Sequence, residues 1–297
     1  WEFVYDDNHN FVDFLELSYD RVRWYFMEAN VLGVYEPVAL LLKAVFVHFH
    51  GWDSGALHAL SFAAHAANAS LACCAGQAVL RRLCGFRRGP PADAAALGCA
   101  LGAALFACQP CSAQTVCWIS CLPYAFATGF AQLSVLCLLR GQGAGEGDRR
   151  PRAAPRAAAW RGAALACYAM ALGCKAASVP VALVLCALDF AWLQQRRSEQ
   201  GVVGWCGTLT CCAAALARQV PHAALGVWCA ARAVGGYHME ELVRLSGQET
   251  ALRACYVLFL YLLKIVDGQH DFNVMQAMPY DGIQAFQGPA RACALGA

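Results

Sequence analysis

Two carboxylates stand side by side near the start of this 297-residue chain, Asp6 and Asp7, behind the aromatic and apolar lead-in Phe3-Val4-Tyr5. A carboxylate held beside lipid is desolvated, its pKa rises, and it can act as a general base. An adjacent pair can also hold a divalent cation; the plainer reading is a solvated acidic loop or a helix cap. His58 and His65 are seven residues apart, on one face of a helix, with Asn68 three further on. Ionisable groups inside an apolar helix are costly, which makes function a reasonable hypothesis beside that of a hydrogen-bonded core histidine. Lys175 stands between two apolar runs. It is placed to hold an anionic group such as a phosphate, or simply to snorkel to an interface. A further polar turn is Gln109-Pro-Cys-Ser-Ala-Gln-Thr115, where Cys111 and Ser112 have no neighbouring base and make no nucleophile site.

The elements that must position these groups are apolar helices. Of all residues 59% are hydrophobic and 14% charged, against about a quarter charged in soluble domains. The hydrophobic residues form long Ala-, Leu- and Cys-rich runs without strict alternation, which favours helices over a barrel. A helix of about 20 apolar residues crosses the hydrocarbon core of a bilayer. The expected spans are Ala56–Leu80, Asp93–Cys108, Val116–Leu139, Gly162–Gly173, Val179–Leu193 and Val202–Ala217, with a further apolar run at Ala251–Val266. Val38–His50 is short for a span and reads as an interfacial or re-entrant helix, followed by a turn where Asp53 or Ser54 can cap the next helix. The fold class is therefore an all-α, polytopic transmembrane bundle of about six or seven helices. Residues 1–55 form an acidic, water-facing loop with the interfacial helix, 56–217 the bundle, and 218–297 a second loop with one more helix and a tail. Asn68-Ala-Ser70 fits a glycosylation acceptor but lies within a span. A net charge of +2 without a basic, aromatic-lined stripe excludes a nucleic-acid partner. The eighteen cysteines lie mostly inside apolar runs and read as packing residues rather than zinc ligands or disulfides.

Basic residues orient the bundle. Residues 81–88 hold four arginines, 140–161 six and 196–197 two, so twelve of the 22 Lys and Arg follow odd-numbered crossings. By the positive-inside rule that face is cytosolic. The segment carrying Asp6 and Asp7 is then expected to face the lumen or periplasm, which calls for a further span before Trp1 and suggests a piece of a longer protein.

These features, in this order, resemble the polytopic GT-C glycosyltransferases that use a polyprenyl-phosphate sugar, and most closely the transmembrane and tetratricopeptide-repeat O-mannosyltransferases (TMTC-like proteins). The resemblance rests on Phe3-Val-Tyr-Asp-Asp7, on Tyr35-Glu-Pro-Val38 before the membrane-lying helix, and on His58, His65 and Asn68. It continues through Gln109-Pro-Cys-Ser-Ala-Gln-Thr-Val116 with Trp118, Cys174-Lys-Ala-Ala-Ser-Val-Pro180 and Leu188-Asp-Phe190. It implies an endoplasmic-reticulum enzyme with its site facing the lumen. Mannose would pass from dolichyl phosphate to Ser or Thr of a lumenal protein acceptor. Asp6 or Asp7 would be the base, with or without a divalent cation, and Lys175 would hold the lipid phosphate. His58, His65, Tyr35, Glu36 and Gln109 would line the donor or acceptor cavity. The chain departs from the family pattern at Glu36, where a basic residue is expected, and at Gln109 and Gln114, where His and Glu are expected. A non-catalytic membrane protein, a degenerate homologue or truncated fragment, is the alternative. A transporter is disfavoured, because no internal repeat with paired broken helices is visible.

Overall fold

A computed structural model describes residues 17–28, 34–86, 89–109, 111–144, 153–201, 204–236 and Leu252. The described residues contain helices and turns and no strand. The helices are α1 (Val22–Met27), α2 (Pro37–His50), α3 (Ser54–Leu83), α4 (Pro90–Cys108), α5 (Cys111–Cys117), α6 (Leu122–Ala144), α7 (Ala153–Cys174), α8 (Val181–Glu199) and α9 (Trp205–Gly236). The chain divides into one unit made of Trp1–Cys108 with Thr115–His238, and a second made of Gln109–Gln114 with Met239–Ala297. The first holds the bundle.

Helix boundaries follow local chemistry. Pro37 opens α2, where its missing N–H costs nothing, and Gly51 closes it at φ +70°. Asp53 caps α3 by accepting from the Gly55 N–H at 2.9 Å. Gly85 and Gly89, both at positive φ, frame the turn into α4.

Among the described residues, three helical stretches are long and apolar enough to cross a membrane: Pro90–Cys108, Ile119–Gly143 and Ala176–Glu199. The sequence reading expects about six. Three of those expected lie in α3, α7 and α9, which are long enough at 30, 22 and 32 residues. They are more polar along their length: α3 carries His58, Ser61, His65, Asn68 and Gln77, α7 carries Arg156 and Arg161, and α9 carries Arg218, Gln219 and His222. α7 starts at Ala153, inside the expected linker, because Ala is the best helix former and Pro155 sits in the tolerant first turn. α9 continues past the expected end at Ala217 to Gly236, through Pro221. Residues 218–236 are thus helix rather than loop. The run at 251–266, apart from Leu252, lies outside the described residues, as do Asp6 and Asp7.

Apolar side chains fill clusters between helices, such as Leu40, Leu57, Ile119 and Leu122, and also face outward. Leu97, Leu101 and Leu105 form an exposed stripe on α4, and Leu209, Leu216, Val220 and Val227 one on α9. Polar groups turn inward and tie helices together. Asn68 Nδ2 donates to the Ala125 carbonyl at 2.8 Å, joining α3 to α6. Ser134 Oγ donates to the Ala164 carbonyl at 2.7 Å, joining α6 to α7. Small residues let backbones close up, as they do at helix interfaces in membranes. A Cβ on Gly173 would overlap Val38 Cγ2, where α7 meets α2. A Cβ on Gly226 would stand 2.8 Å from the Tyr168 hydroxyl, where α9 meets α7.

The connections produce two chemically different ends. At one end, Arg140 lies 5.2 Å from the Trp160 ring and Arg197 donates to the Gly207 carbonyl at 3.2 Å. Arg196 and Arg218 both approach the Trp192 ring at the same end. The opposite end gathers the start of α2, the start of α6, the end of α7 and the last turns of α9.

Gly173→Ala should destabilise the bundle by about 1–3 kcal/mol, because β-branched Val38 cannot swing aside. Gly98→Ala on α4 meets open space and should be neutral or slightly stabilising. Thermal unfolding in detergent followed by far-UV circular dichroism checks both; equal midpoints for the two variants would refute the close-approach reading.

Candidate functional site

The second end of the bundle brings together three of the residues singled out by the sequence. Tyr35 and Glu36 lie in the approach to α2, and Lys175 follows α7 and leads into a 3-10 turn at Ala176–Ser178. Lys175 Nζ donates to Glu36 Oε1 across 139 residues of chain. Both side chains are largely shielded, 17% and 12% exposed. The same ammonium lies 4.6 Å from the centroid of the Tyr124 ring on the first turn of α6, an added cation–π attraction that strengthens as water is excluded.

Tyr35 is buried and organises the neighbouring part of the site. Its hydroxyl donates to the Phe26 carbonyl at 2.9 Å, tying the α2 approach to α1. Burial raises the Tyr35 phenol pKa, with Arg232 pulling the other way, so the group stays neutral and keeps its donor. The Arg232 guanidinium lies 5.1 Å from the Tyr35 ring centroid and donates to the Met27 carbonyl at 3.0 Å. Trp228, one helical turn before Arg232, meets Tyr35 edge-on at 6.2 Å.

Among the described residues the arrangement is a mixed-charge, aromatic-lined surface with two cations, Lys175 and Arg232, and one carboxylate, Glu36. It can take an anion only in competition with Glu36 for Lys175. Tyr124, Trp228 and Arg232 are additions to the residues expected from sequence. The signal for the last two was their i,i+4 spacing, hidden by reading 218–236 as a loop.

The other expected residues have other roles. His65 Nε2 is 3.1 Å from the Ala107 carbonyl, and its ring packs at 5.2 Å on Phe106, so it fastens α3 to the end of α4. His58 is buried on α3. In the second unit, the Gln109 carbonyl accepts from both the backbone N–H and the hydroxyl of Ser112, at 3.1 and 2.7 Å, a turn that starts α5. Among the described residues there is no group of three or more His, Cys, Asp or Glu that could hold a metal ion, and the described thiols are free; Cys121, Cys174, Cys211 and Cys229 are buried, while Cys74, Cys84, Cys108, Cys117, Cys206 and Cys212 are exposed. The candidate cation pair Asp6 and Asp7 lies outside the described residues.

Removing one partner of the Glu36–Lys175 pair should cost about 2 kcal/mol, between the values for exposed and fully buried pairs. Glu36→Gln and Lys175→Met should each lower the unfolding midpoint, and the exchange Glu36→Lys with Lys175→Glu should recover most of the loss. Simple additivity of the two losses in the double variant Glu36→Gln with Lys175→Met would show that the pair contributes nothing.

No protein-family model matches this chain, and neither a curated protein nor a solved structure does.

Proposed function

We propose that the chain is a membrane-embedded transferase that takes a sugar from a polyprenyl-phosphate carrier and passes it to a hydroxyl of a protein acceptor. Mannose, dolichyl phosphate and the Ser or Thr of a lumenal protein are the reading closest to the sequence resemblance. The observation that carries the proposal is the meeting of Tyr35, Glu36 and Lys175 at the end of the bundle opposite the arginines. The three expected residues come from two segments far apart in sequence. In this reading the acceptor oxygen attacks the anomeric carbon and the bond from that carbon to the phosphate oxygen breaks. The hydroxyl proton goes to a carboxylate, Asp6 or Asp7, which would also be the ligands of any divalent cation. The departing phosphate is received by Lys175, with Arg232 as a second nearby cation. Preorganised cations at the developing negative charge are the main source of acceleration in such a step.

A second reading is favoured by a specific observation. Lys175 is already neutralised by Glu36, at a position where the resemblance expects a basic residue. A bundle that keeps the architecture and has closed its phosphate site would be a non-catalytic membrane protein.

The two readings separate in one assay. Membranes containing the full chain are supplied with radiolabelled dolichyl phosphate mannose and a Ser/Thr-rich acceptor. The transferase reading expects label in protein, a fall of about 100-fold or more for Lys175→Met, and loss of transfer for Asp6→Asn combined with Asp7→Asn at normal expression. No incorporation above membranes lacking the chain would establish the non-catalytic reading.

A further inference from the structure

Averaged along its 32 residues, α9 is more polar than the three apolar stretches. An average hides which side each residue takes. Gln219 and His222 are buried against the other helices. Gln219 Nε2 donates to Asp189 of α8 at 2.6 Å, and the His222 ring packs on Tyr168 of α7 with centroids 5.5 Å apart. Arg218 is the one Lys, Arg, Asp or Glu between Trp205 and Trp228, and it lies over the Trp192 ring of α8 at 5.4 Å. Thr208 and Thr210 donate to carbonyls of their own helix, Gly204 at 3.4 Å and Cys206 at 2.7 Å, which satisfies both hydroxyls locally. The outer side is left with Leu209, Leu216, Val220 and Val227, all exposed, among Ala, Cys and Pro.

This charge-free side has a defined length. Trp205 at its start is 87% exposed and Trp228 near its end 54%. The two stand about 35 Å apart along a helix of ordinary rise. The hydrocarbon core of a bilayer is about 30 Å thick, with headgroups beyond it on each side. Tryptophan favours those two boundaries because its ring is apolar and its N–H polar. Arg232, exposed one turn beyond Trp228, is the first charged residue after the apolar side ends, where a cation can reach water. A helix from a soluble partner would need charged residues flanking the apolar seam, and the flanking positions here carry none. A second copy of the chain would not call for tryptophans one bilayer apart.

We infer that α9 crosses the bilayer from Trp205 to Trp228, with its outer face against lipid acyl chains and the two tryptophans at opposite headgroup levels. The span is shifted along the chain from the expected Val202–Ala217. Trp228 meets Tyr35 edge-on at 6.2 Å, so the Tyr35–Glu36 end of the bundle sits at headgroup level rather than out in water. This placement holds with or without sugar transfer.

The test uses the full chain in phosphatidylcholine vesicles, with tryptophan emission quenched by lipids brominated either near the headgroup or near the chain end. The signals of Trp205 and Trp228 are the differences between the chain and its Trp205→Phe and Trp228→Phe variants. Leu216→Trp adds a probe midway between them. Trp205 and Trp228 should each be quenched about twofold more by the shallow bromines, and the added probe about twofold more by the deep ones. Val220→Trp serves in the same way if Leu216→Trp fails to fold. Quenching of the added probe by shallow bromines alone would lay α9 flat on the surface, and quenching by neither would put its outer face in water. Deep quenching that disappears as the chain is concentrated in the vesicles would put a second copy on that face. Each of these three outcomes overturns the inference.

Discussion

The bundle depends on the burial of one carboxylate. Asp189 is fully enclosed on α8, and its two oxygens are met by amide groups from two other helices, Gln142 of α6 and Gln219 of α9. An uncompensated carboxylate in such surroundings costs several kcal/mol. α6 and α9 must therefore stand where their glutamines reach α8. α6 in turn holds α3 through Asn68 and α7 through Ser134. The polar interior thus fixes which helices are neighbours, while the outward apolar stripes on α4 and α9 suit a lipid surround and say little about which helix lies beside which.

Around this hub the alternating helix directions sort charge to the two ends. Arginines collect where α3, α6 and α8 finish and α7 and α9 start. The other end receives Lys175, Arg232 and Glu36 with Tyr35, Tyr124 and Trp228. That sorting links fold to chemistry, because it produces an arginine-rich end and, at a distance set by the helices, a mixed-charge aromatic one. The close approaches at Gly173 and Gly226 matter for the same reason. They let α2 and α9 press on α7, the helix whose end presents Lys175.

Much of this was legible in the sequence, and what was missed has physical causes. The runs that became α4, α6 and α8 were clear because uninterrupted hydrophobicity of that length has few other uses. The turn bearing Lys175, the cap at Asp53 and the short helix after Pro37 were also readable. The limits of α7 and α9 were not. Arginine and proline in the stretches 153–161 and 218–221 look like linker or loop, yet Ala-rich sequence propagates a helix, and Pro221 is accommodated within α9. The partnership of Glu36 with Lys175 was out of reach because it joins positions 139 residues apart. Each was singled out separately, Lys175 as a holder of phosphate and Glu36 as a cavity-lining residue that departs from the family pattern. Asp189 entered only as part of Leu188-Asp-Phe190 in the resemblance, within the expected span Val179–Leu193. No local pattern shows that two distant glutamines would enclose it.

We propose a membrane bundle whose two ends face opposite sides, and epitope insertion with protease protection in sealed vesicles tests that proposal most directly. The two insertion points are the exposed turns at Gly51 and Gly85. The account predicts that in vesicles with their cytosolic face outward the epitope at Gly85 is cleaved at once. The epitope at Gly51 should be cleaved only after detergent opens the membrane. Cleavage of both, or protection of both, before detergent is added would contradict it.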